Sequence, residues 1–275
     1  MDARARGDHG KRFPSQGSAM GIGAWVDAKH PRDDHGRFTS GDGDASAPKG
    51  LFAAKDHASL PSTVTQRTSN KDELVKDAKE AHEQSLDLLD RDAGIAKDIG
   101  ATIVRGDKGE KVDLEKVKGP VVMIGPMKNM NERAKEKVEK QLGGDYGKLG
   151  DVVRSSIAVD SHRDIPKVLE KLKAAGIEIA RQPKDRFIKP TDSGYRDALI
   201  NVKYPNGHVG EIQLHTKALL AAKNGGGHKL YEAVRKVAES AESEKRGLTT
   251  AESKMIDATN KAAKRLYDAA WKKSR

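Results

Sequence analysis

The chain has 275 residues, 36% of them hydrophobic and only 4% aromatic, and carries a net charge of +10. That is enough for one sizeable domain plus tails, with part of the chain outside any core. The absence of cysteine excludes disulfides, thiolate metal sites and cysteine nucleophiles. The longest apolar runs, such as "GPVVMIGPM" from Gly119, are far too short to cross a bilayer, and the first residues lack the apolar stretch of a signal peptide. The positive charge suits polyanionic partners: nucleotides, RNA, DNA or phosphate groups. A cytoplasmic protein of a bacterial host or a virion-associated protein fits all of this.

Residues 1–70 are rich in Gly, Ser, Asp, Arg and Pro and show no sustained helix or strand period. Such a segment buries too little apolar area to offset its ordering entropy, so a low-complexity, largely disordered arm is expected. Its ten Lys/Arg face eight Asp/Glu, so it is not a polybasic nucleic-acid arm. One island, "WVDAKHPRDDHGRFTSG" (Trp25 to Gly41), stands out. It reads either as a solvated linker or as a docking peptide.

From Asn70 the texture changes. Asn70 is an N-cap, acids follow in the first turn, and Leu74, Ala78, Ala81, Ser85, Leu88 and Leu89 recur at helical spacing, with Gly94 or Gly100 as the stop. "VVMIG" (Val121 to Gly125) predicts a buried strand and "NERAKEKVEKQL" (Asn131 to Leu142) a basic helix. "DVVRSSIAVD" predicts a strand opened by Asp151, "HRDIPKVLEKLKAAG" a helix ended by Gly176, and "IEIA" a short strand. "RDALINVKYPNGHVGEIQLHT" predicts two strands around Asn206-Gly207, a strong hairpin signal. "KALLAAKNGGGHKLYEAVRKVAES" predicts two helices with a Gly-rich break. The last helix starts near Thr250 and places Met255, Ala262, Leu266, Ala269 and Ala270 on its apolar stripe. The expectation is an α+β domain, with a mixed sheet of about five strands flanked by helices, over residues 71–238. A C-terminal helix over 239–275 follows it.

Strand alternation puts Glu211, Gln213 and His215 on one face and Ile212 and Leu214 on the other. Polar groups on a sheet face are poor core material unless something polar binds there. Asp151 and Glu211, on separate strands, could share Mg²⁺, which takes oxygen ligands and keeps waters for phosphate oxygens. They read equally as solvated strand-edge acids. Cations are at hand in Lys128, Arg133, Lys135, Lys137 and Arg154. Together these are the parts of a phosphoryl-transfer site.

"PTDSGYRDALINV", "GHVGEIQLHT" and "GHKLYE" together resemble the synthetase domain of the RelA/SpoT family, over residues of about 120 to 237. That family moves the β,γ-pyrophosphate of ATP to a 3′-hydroxyl, usually of GDP or GTP, making alarmones. Pro190, Gly194, Tyr195 and Arg196 stand in register with its acceptor loop, Glu211 and Gln213 with its Glu-x-Gln strand, and Asp151 with its strand-opening Asp. "MKNMNERAKEKV" matches its basic helix loosely. The resemblance implies a nucleotidyltransferase-like fold in which Asp151 and Glu211 hold Mg²⁺ and Glu211, with Gln213 beside it, helps activate the acceptor hydroxyl. It further implies that Lys128, Arg133, Lys137 and Arg154 bind ATP phosphates and that Tyr195 stacks on the acceptor base, near Arg196, Asp197 and His215.

The departures are Thr191, Ser193, Asp197, Leu199 and His215 where the family has Lys, Asn, Ser, His and Arg, and Arg154 where it often has Gly. They fall where acceptor choice is made, so GDP or GTP, an adenine nucleotide and the 3′ end of tRNA all stand as acceptors. A toxin with a neutralising antitoxin fits the same pattern. The second class of reading is a catalytically inactive, virion-associated nucleic-acid binder contacting phage structural proteins, since the Trp25–Gly41 island resembles patches in phage structural proteins.

Overall fold

The computed structural model describes residues 50–52, 57–90 and 94–275. The island from Trp25 to Gly41 and most of the expected arm lie outside them. Among the described residues nine α-helices and β-strands precede the sheet's central hairpin. Helix α1 (Lys71–Leu89) is capped by Asn70, whose side chain accepts from the Asp72 and Glu73 amides. It buries Leu74, Ala78, Ala81, Ser85 and Leu89, as the spacing predicts, with Leu86 in place of Leu88. It ends at Leu89 rather than at a glycine. Gly94 instead opens a separate turn, α2 (Ile95–Asp98), and Gly100 follows that turn.

Strand β1 (Thr102–Arg105) is not expected from the sequence, because four residues on a sheet edge, only Val104 of them buried, leave almost no period to detect. Strand β2 (Val121–Ile124) lies parallel to it. Helix α3 (Glu132–Gln141), capped by Asn131, leads to β3 (Arg154–Val159). Helix α4 (Ile165–Ala174) follows a Ser161–Asp164 capping box. Two-residue strands β4 (Glu178–Ile179) and β5 (Lys184–Asp185) come next, then the hairpin β6 (Ala198–Lys203) and β7 (Val209–Thr216) around Asn206-Gly207. Among the described residues the sheet thus has seven strands, two more than expected. Its order is β1-β2-β3-β7-β6, with β4 and β5 sharing the outer edge of β6. The β1–β2 and β3–β7 pairs are parallel and the rest antiparallel, so the sheet is mixed, as expected.

Register divides the sheet into two faces. Arg154 and Ser156 of β3 stand beside Glu211 and Gln213 of β7, and Asn201 and Leu199 of β6 stand on their other side. The opposite face, with Ile157, Val159, Ile200, Val202, Ile212 and Leu214, packs into one core with Leu74, Ala78 and Leu89 of α1 and Ile165, Val168 and Leu172 of α4.

The C-terminal third is helical: α5 (Lys217–Ala222), a π-type segment over Lys223–Gly227, α6 (His228–Ser243) and α7 (Thr250–Lys273). Residue 238, the expected domain edge, falls inside α6. Helix α7 is capped by Thr249, with Glu252 closing the capping box. Its buried stripe is Ile256, Ala263, Tyr267, Ala270 and Trp271. Of the predicted stripe only Ala270 belongs to it, and Met255, Ala262 and Ala269 face solvent. Alanines populate both faces of this helix, so period alone selected the wrong one, and the bulk of Tyr267 and Trp271 decides the matter. The end of α7 is latched down: the buried Ser274 hydroxyl bonds Thr216 Oγ1 at 2.6 Å, and the Ser274 carbonyl accepts from the His162 amide at 3.0 Å.

Residues just before Asn70 are also built in. Gln66 is buried, donates to the carbonyls of Leu149 and Val209 at 2.8 and 2.7 Å, and accepts from the Val209 amide at 2.8 Å. The chain is therefore packed into the domain several residues ahead of residue 70. A polar run with no period concealed it, because a single glutamine bridging two loops carries no sequence signal.

Candidate active site

Asp151 lies three residues before β3 rather than opening it, in the segment after α3. Two lysines converge on one of its oxygens: Lys128 Nζ reaches Oδ2 at 2.8 Å and Lys137 Nζ at 3.0 Å. The other oxygen, Oδ1, is buried and has no hydrogen-bond partner. Burial pushes this carboxyl up, but the Lys137 and Lys128 charges outweigh it and hold the group below the ordinary carboxylate range.

Glu211 stands in the middle of β7. Its Oε1 accepts from Gln213 Nε2 at 2.6 Å, and Gln213 Oε1 in turn meets His215 Nε2 at 3.2 Å, so the row predicted by strand alternation exists. Burial raises the Glu211 carboxyl above its ordinary value. The Gln213 hydrogen bond opposes that shift, and the Asp151 charge adds to it. Asp151 and Glu211 line one cleft of about 270 Å³, which also takes in Lys137, Arg181, Lys184 and Asn201. Both donors are carboxylate oxygens, and one of the four is buried and unpartnered. That set fits a hard cation that keeps water or phosphate oxygens on its remaining positions. Among the described residues no cluster of three or more metal-ligating side chains occurs.

The expected cations divide. Lys128 and Lys137 face the site. Lys135 does not: it pairs with Glu132 at 2.6 Å along its own helix. The side chain of Arg133 lies outside the described residues. Arg154 is exposed, in register with Glu211, and its charge acts on Lys223. The opposite wall carries Arg181, Lys184 and Arg186, a trio visible in "RQPKDR" but less prominent there than the basic helix. Arg181 Nε is fixed on Asn201 Oδ1 at 2.6 Å. Desolvation by the cleft walls, then the Arg181 and Arg186 charges, lower the Lys184 ammonium.

The loop from Thr191 to Arg196 closes on itself. Gly194 donates to the Thr191 carbonyl at 2.7 Å with φ at +78°, a conformation that needs no side chain, and the Tyr195 amide donates to Thr191 Oγ1 at 3.1 Å. Tyr195 turns its hydroxyl inward to donate to Asp197 Oδ2 at 2.8 Å, and Arg186 holds Asp197 Oδ1 at 2.6 Å. Burial first, and then the Asp197 charge, push the Tyr195 hydroxyl far up. His215 lies 6.3 Å from the Tyr195 ring, is fully buried, and is pushed down by burial and then Lys223 to about 3, so it is neutral at ordinary pH.

Arg196 is not brought to this face. Its Nη1 donates to the Phe187 carbonyl at 2.7 Å, and its guanidinium lies 4.9 Å over the Trp271 ring. A residue absent from the sequence reading takes the inner position. Lys223, the first residue of the π-type segment, reaches Gln213 Oε1 at 3.3 Å and the Tyr195 hydroxyl at 3.4 Å, with Nζ 5.5 Å from the Tyr195 ring centre. The glycine run that follows marks a helix break, but nothing in a single sequence tells where that break aims its lysine.

No known family profile and no curated protein matches the chain by sequence. Solved structures do. The Type VI effector Tas1, crystallised with its immunity protein, is 21% identical with a TM-score of 0.51, over 76% of this chain and all of that one. A GTP pyrophosphokinase family protein from Streptococcus pneumoniae is 19% identical with a TM-score of 0.43, over 72% and 87% of the two chains. Small alarmone synthetase 2 from Bacillus subtilis is 17% identical with a TM-score of 0.41, over 72% and 95%. The chain shares its fold with the Type VI effector Tas1, a mixed sheet flanked by helices, as the sequence resemblance implies. Among the described residues no helix is long and apolar enough to cross a membrane.

Proposed function

We propose that the chain is an ATP-dependent nucleotide 3′-pyrophosphokinase. The observation that carries this reading is the convergence of Asp151 and Glu211, from separate segments, on one cleft walled by Lys137, Arg181 and Lys184, with Lys128 on Asp151. Unlike charges of this number around two acids suit a triphosphate better than any core role.

In this reading the acceptor's 3′-oxygen attacks the β-phosphorus of ATP. The bond from that phosphorus to the α,β-bridging oxygen breaks, AMP leaves with the electron pair, and the hydroxyl proton passes to Glu211. Burial makes Glu211 a stronger base than an exposed carboxylate, and the Gln213 hydrogen bond fixes the direction of its oxygens. Asp151, through its unpartnered Oδ1, and Glu211 would hold Mg²⁺, which when bound neutralises charge on the triphosphate. Lys128, Lys137 and the basic helix bind the donor phosphates, and Arg154 stands at the same rim. Tyr195 is the platform for the acceptor base, with Asp197 and His215 behind it.

The acceptor is a purine nucleotide, GDP or GTP in the first instance. The shared fold with an effector solved with its immunity protein supports use as a toxin with a neutralising partner. The test is incubation with Mg²⁺, labelled ATP and separate acceptors (GDP, GTP, ADP and deacylated tRNA). The expected result is AMP plus one 3′-pyrophosphorylated acceptor, abolished by Glu211→Gln. A product on tRNA alone would move the acceptor to the tRNA 3′ end. No product with any acceptor, alongside tight binding to nucleic acid, would favour the inactive virion-associated reading.

A further inference from the structure

The sequence divides a catalytic domain from a C-terminal helix, but the packing does not. Three consecutive residues of the acceptor loop meet one face of α7. A Cβ on Gly194 would lie 3.2 Å from the Lys264 Cα. The Tyr195 ring sits edge-on to Tyr267, with centroids 5.3 Å apart at 65°. The Arg196 guanidinium lies over Trp271. Lys264, Tyr267 and Trp271 are spaced i, i+3 and i+7, which is one stripe of a helix. The same stripe is tied to the other parts of the site. Tyr267 comes so close to Gly227, in the π-type segment that carries Lys223, that a Cβ there would strike its hydroxyl. Trp271 also packs on Phe187, whose carbonyl holds Arg196, with ring centroids 5.8 Å apart.

We infer that α7 is part of the acceptor site: Tyr267 and Trp271 are positioning residues that set the acceptor loop and, through Gly227, the height of Lys223 against Tyr195. The inference rests on the proposed role of Tyr195. A tyrosine in a loop that carries its own tight turn still has rotational freedom. Here its hydroxyl is tied to Asp197 and its edge is held by Tyr267, so one orientation is selected. Holding the ring in advance lowers the ordering cost of binding a base on it. On the donor side Asp151 is bonded instead to Lys128 and Lys137, which come from the segment after β2 and from α3. Loosening α7 should therefore separate the two substrates.

The experiment uses the full chain and the variants Tyr267→Leu, Tyr267→Phe and Trp271→Leu, each with two readouts. Steady-state kinetics should show the acceptor KM raised about tenfold or more by the leucine variants, an unchanged ATP KM, and near-normal behaviour for Tyr267→Phe, which keeps the ring edge. Amide hydrogen exchange, which needs no catalysis, should show faster exchange at Gly194 and Tyr195 in the leucine variants with β7 amides unchanged. Loop exchange equal to the parent in Tyr267→Leu and Trp271→Leu would overturn the positioning role whatever the activity. Equal rises in both KM values would overturn it as well. If a leucine variant fails to fold, Trp271→Phe decides: it keeps a ring but loses part of the surface under Arg196, so exchange at Tyr195 and Arg196 should quicken, and an unchanged rate there overturns the inference. Faster loop exchange in a protein that transfers nothing to any acceptor would leave the positioning role standing and refute the proposed reaction instead.

Discussion

The two ends of the cleft are built on different principles. Around Asp151, two lysines from separate segments meet one carboxylate oxygen, at side-chain exposures of roughly a fifth to a third. Around Glu211 and Tyr195 the groups are neutral or locked in place: Gln213 on Glu211, Asp197 between Tyr195 and Arg186, and the buried, uncharged His215. The first end is held by charge and is open to salt and metal. The second is held by hydrogen bonds and packing and, apart from Glu211 at the shared cleft, is closed to them. In the proposed reaction a flexible, highly charged donor needs compensation more than shape, whereas a purine base offers a flat face that needs a fixed wall.

Glu211→Gln should break the comparison most severely. The amide retains the shape and a hydrogen bond from Gln213 but takes no proton, so kcat should fall about 10²- to 10⁴-fold with little change in Tm, as measured by single-turnover AMP release and thermal melting. Tyr195→Ala should raise the acceptor KM about ten- to a hundredfold, because a stacked base is worth roughly 1–3 kcal/mol. Tyr195→Phe keeps the π-face but leaves buried Asp197 short of a donor. It should lower stability by about 1–3 kcal/mol while largely sparing the acceptor KM, as followed by urea unfolding and kinetics.

On the charged end, Lys137→Ala should raise the ATP KM about tenfold, and the effect should shrink as salt is added. The acceptor KM should not follow it, and equal movement of both would erase the distinction between the two ends. A stability measurement sharpens the neutral end. His215 and His208 are buried and pushed down by burial to about 3 and about 4. In the unfolded chain each takes a proton near pH 6.5, so the folded state binds fewer protons below that value. Their contribution is complete above about pH 6.5 and is lost as pH falls toward 4, by roughly 1 kcal/mol per pH unit for each histidine. The urea midpoint should fall over that window, and His208→Gln should flatten part of the slope.

Truncation tests the limits of the domain. A chain starting at Asn70 would lose Gln66 and leave the Leu149 and Val209 backbone groups without their partner. Gln66→Ala alone should cost about 1–3 kcal/mol of stability, read by urea unfolding.

Much of this protein was legible in one sequence. The Asn70 and Asn131 caps, the Asn206-Gly207 hairpin and the alternation along "GEIQLHT" are local signals, each set within a few residues by hydrogen-bond geometry or pleat. They located most helices and strands and put Glu211, Gln213 and His215 on one face. The sequence also points to Asp151, Lys128 and Lys137, which the structure brings into contact, with Asp151 ahead of its strand rather than opening it. What required the tertiary structure was everything set by chain segments far apart. The family resemblance implies Arg196 in the site and local pattern does not point to Lys223, because the loop sends one to Trp271 and the π-type segment brings the other 28 residues back to Tyr195. The buried face of α7 was misread because an alanine-rich helix carries two nearly equal stripes, and only the partners waiting at Tyr195, Gly227 and Phe187 choose between them. Short-range order is a property of neighbouring residues, but which side chains share a cleft depends on the order in which strands pair, and that order was decided by the folded sheet.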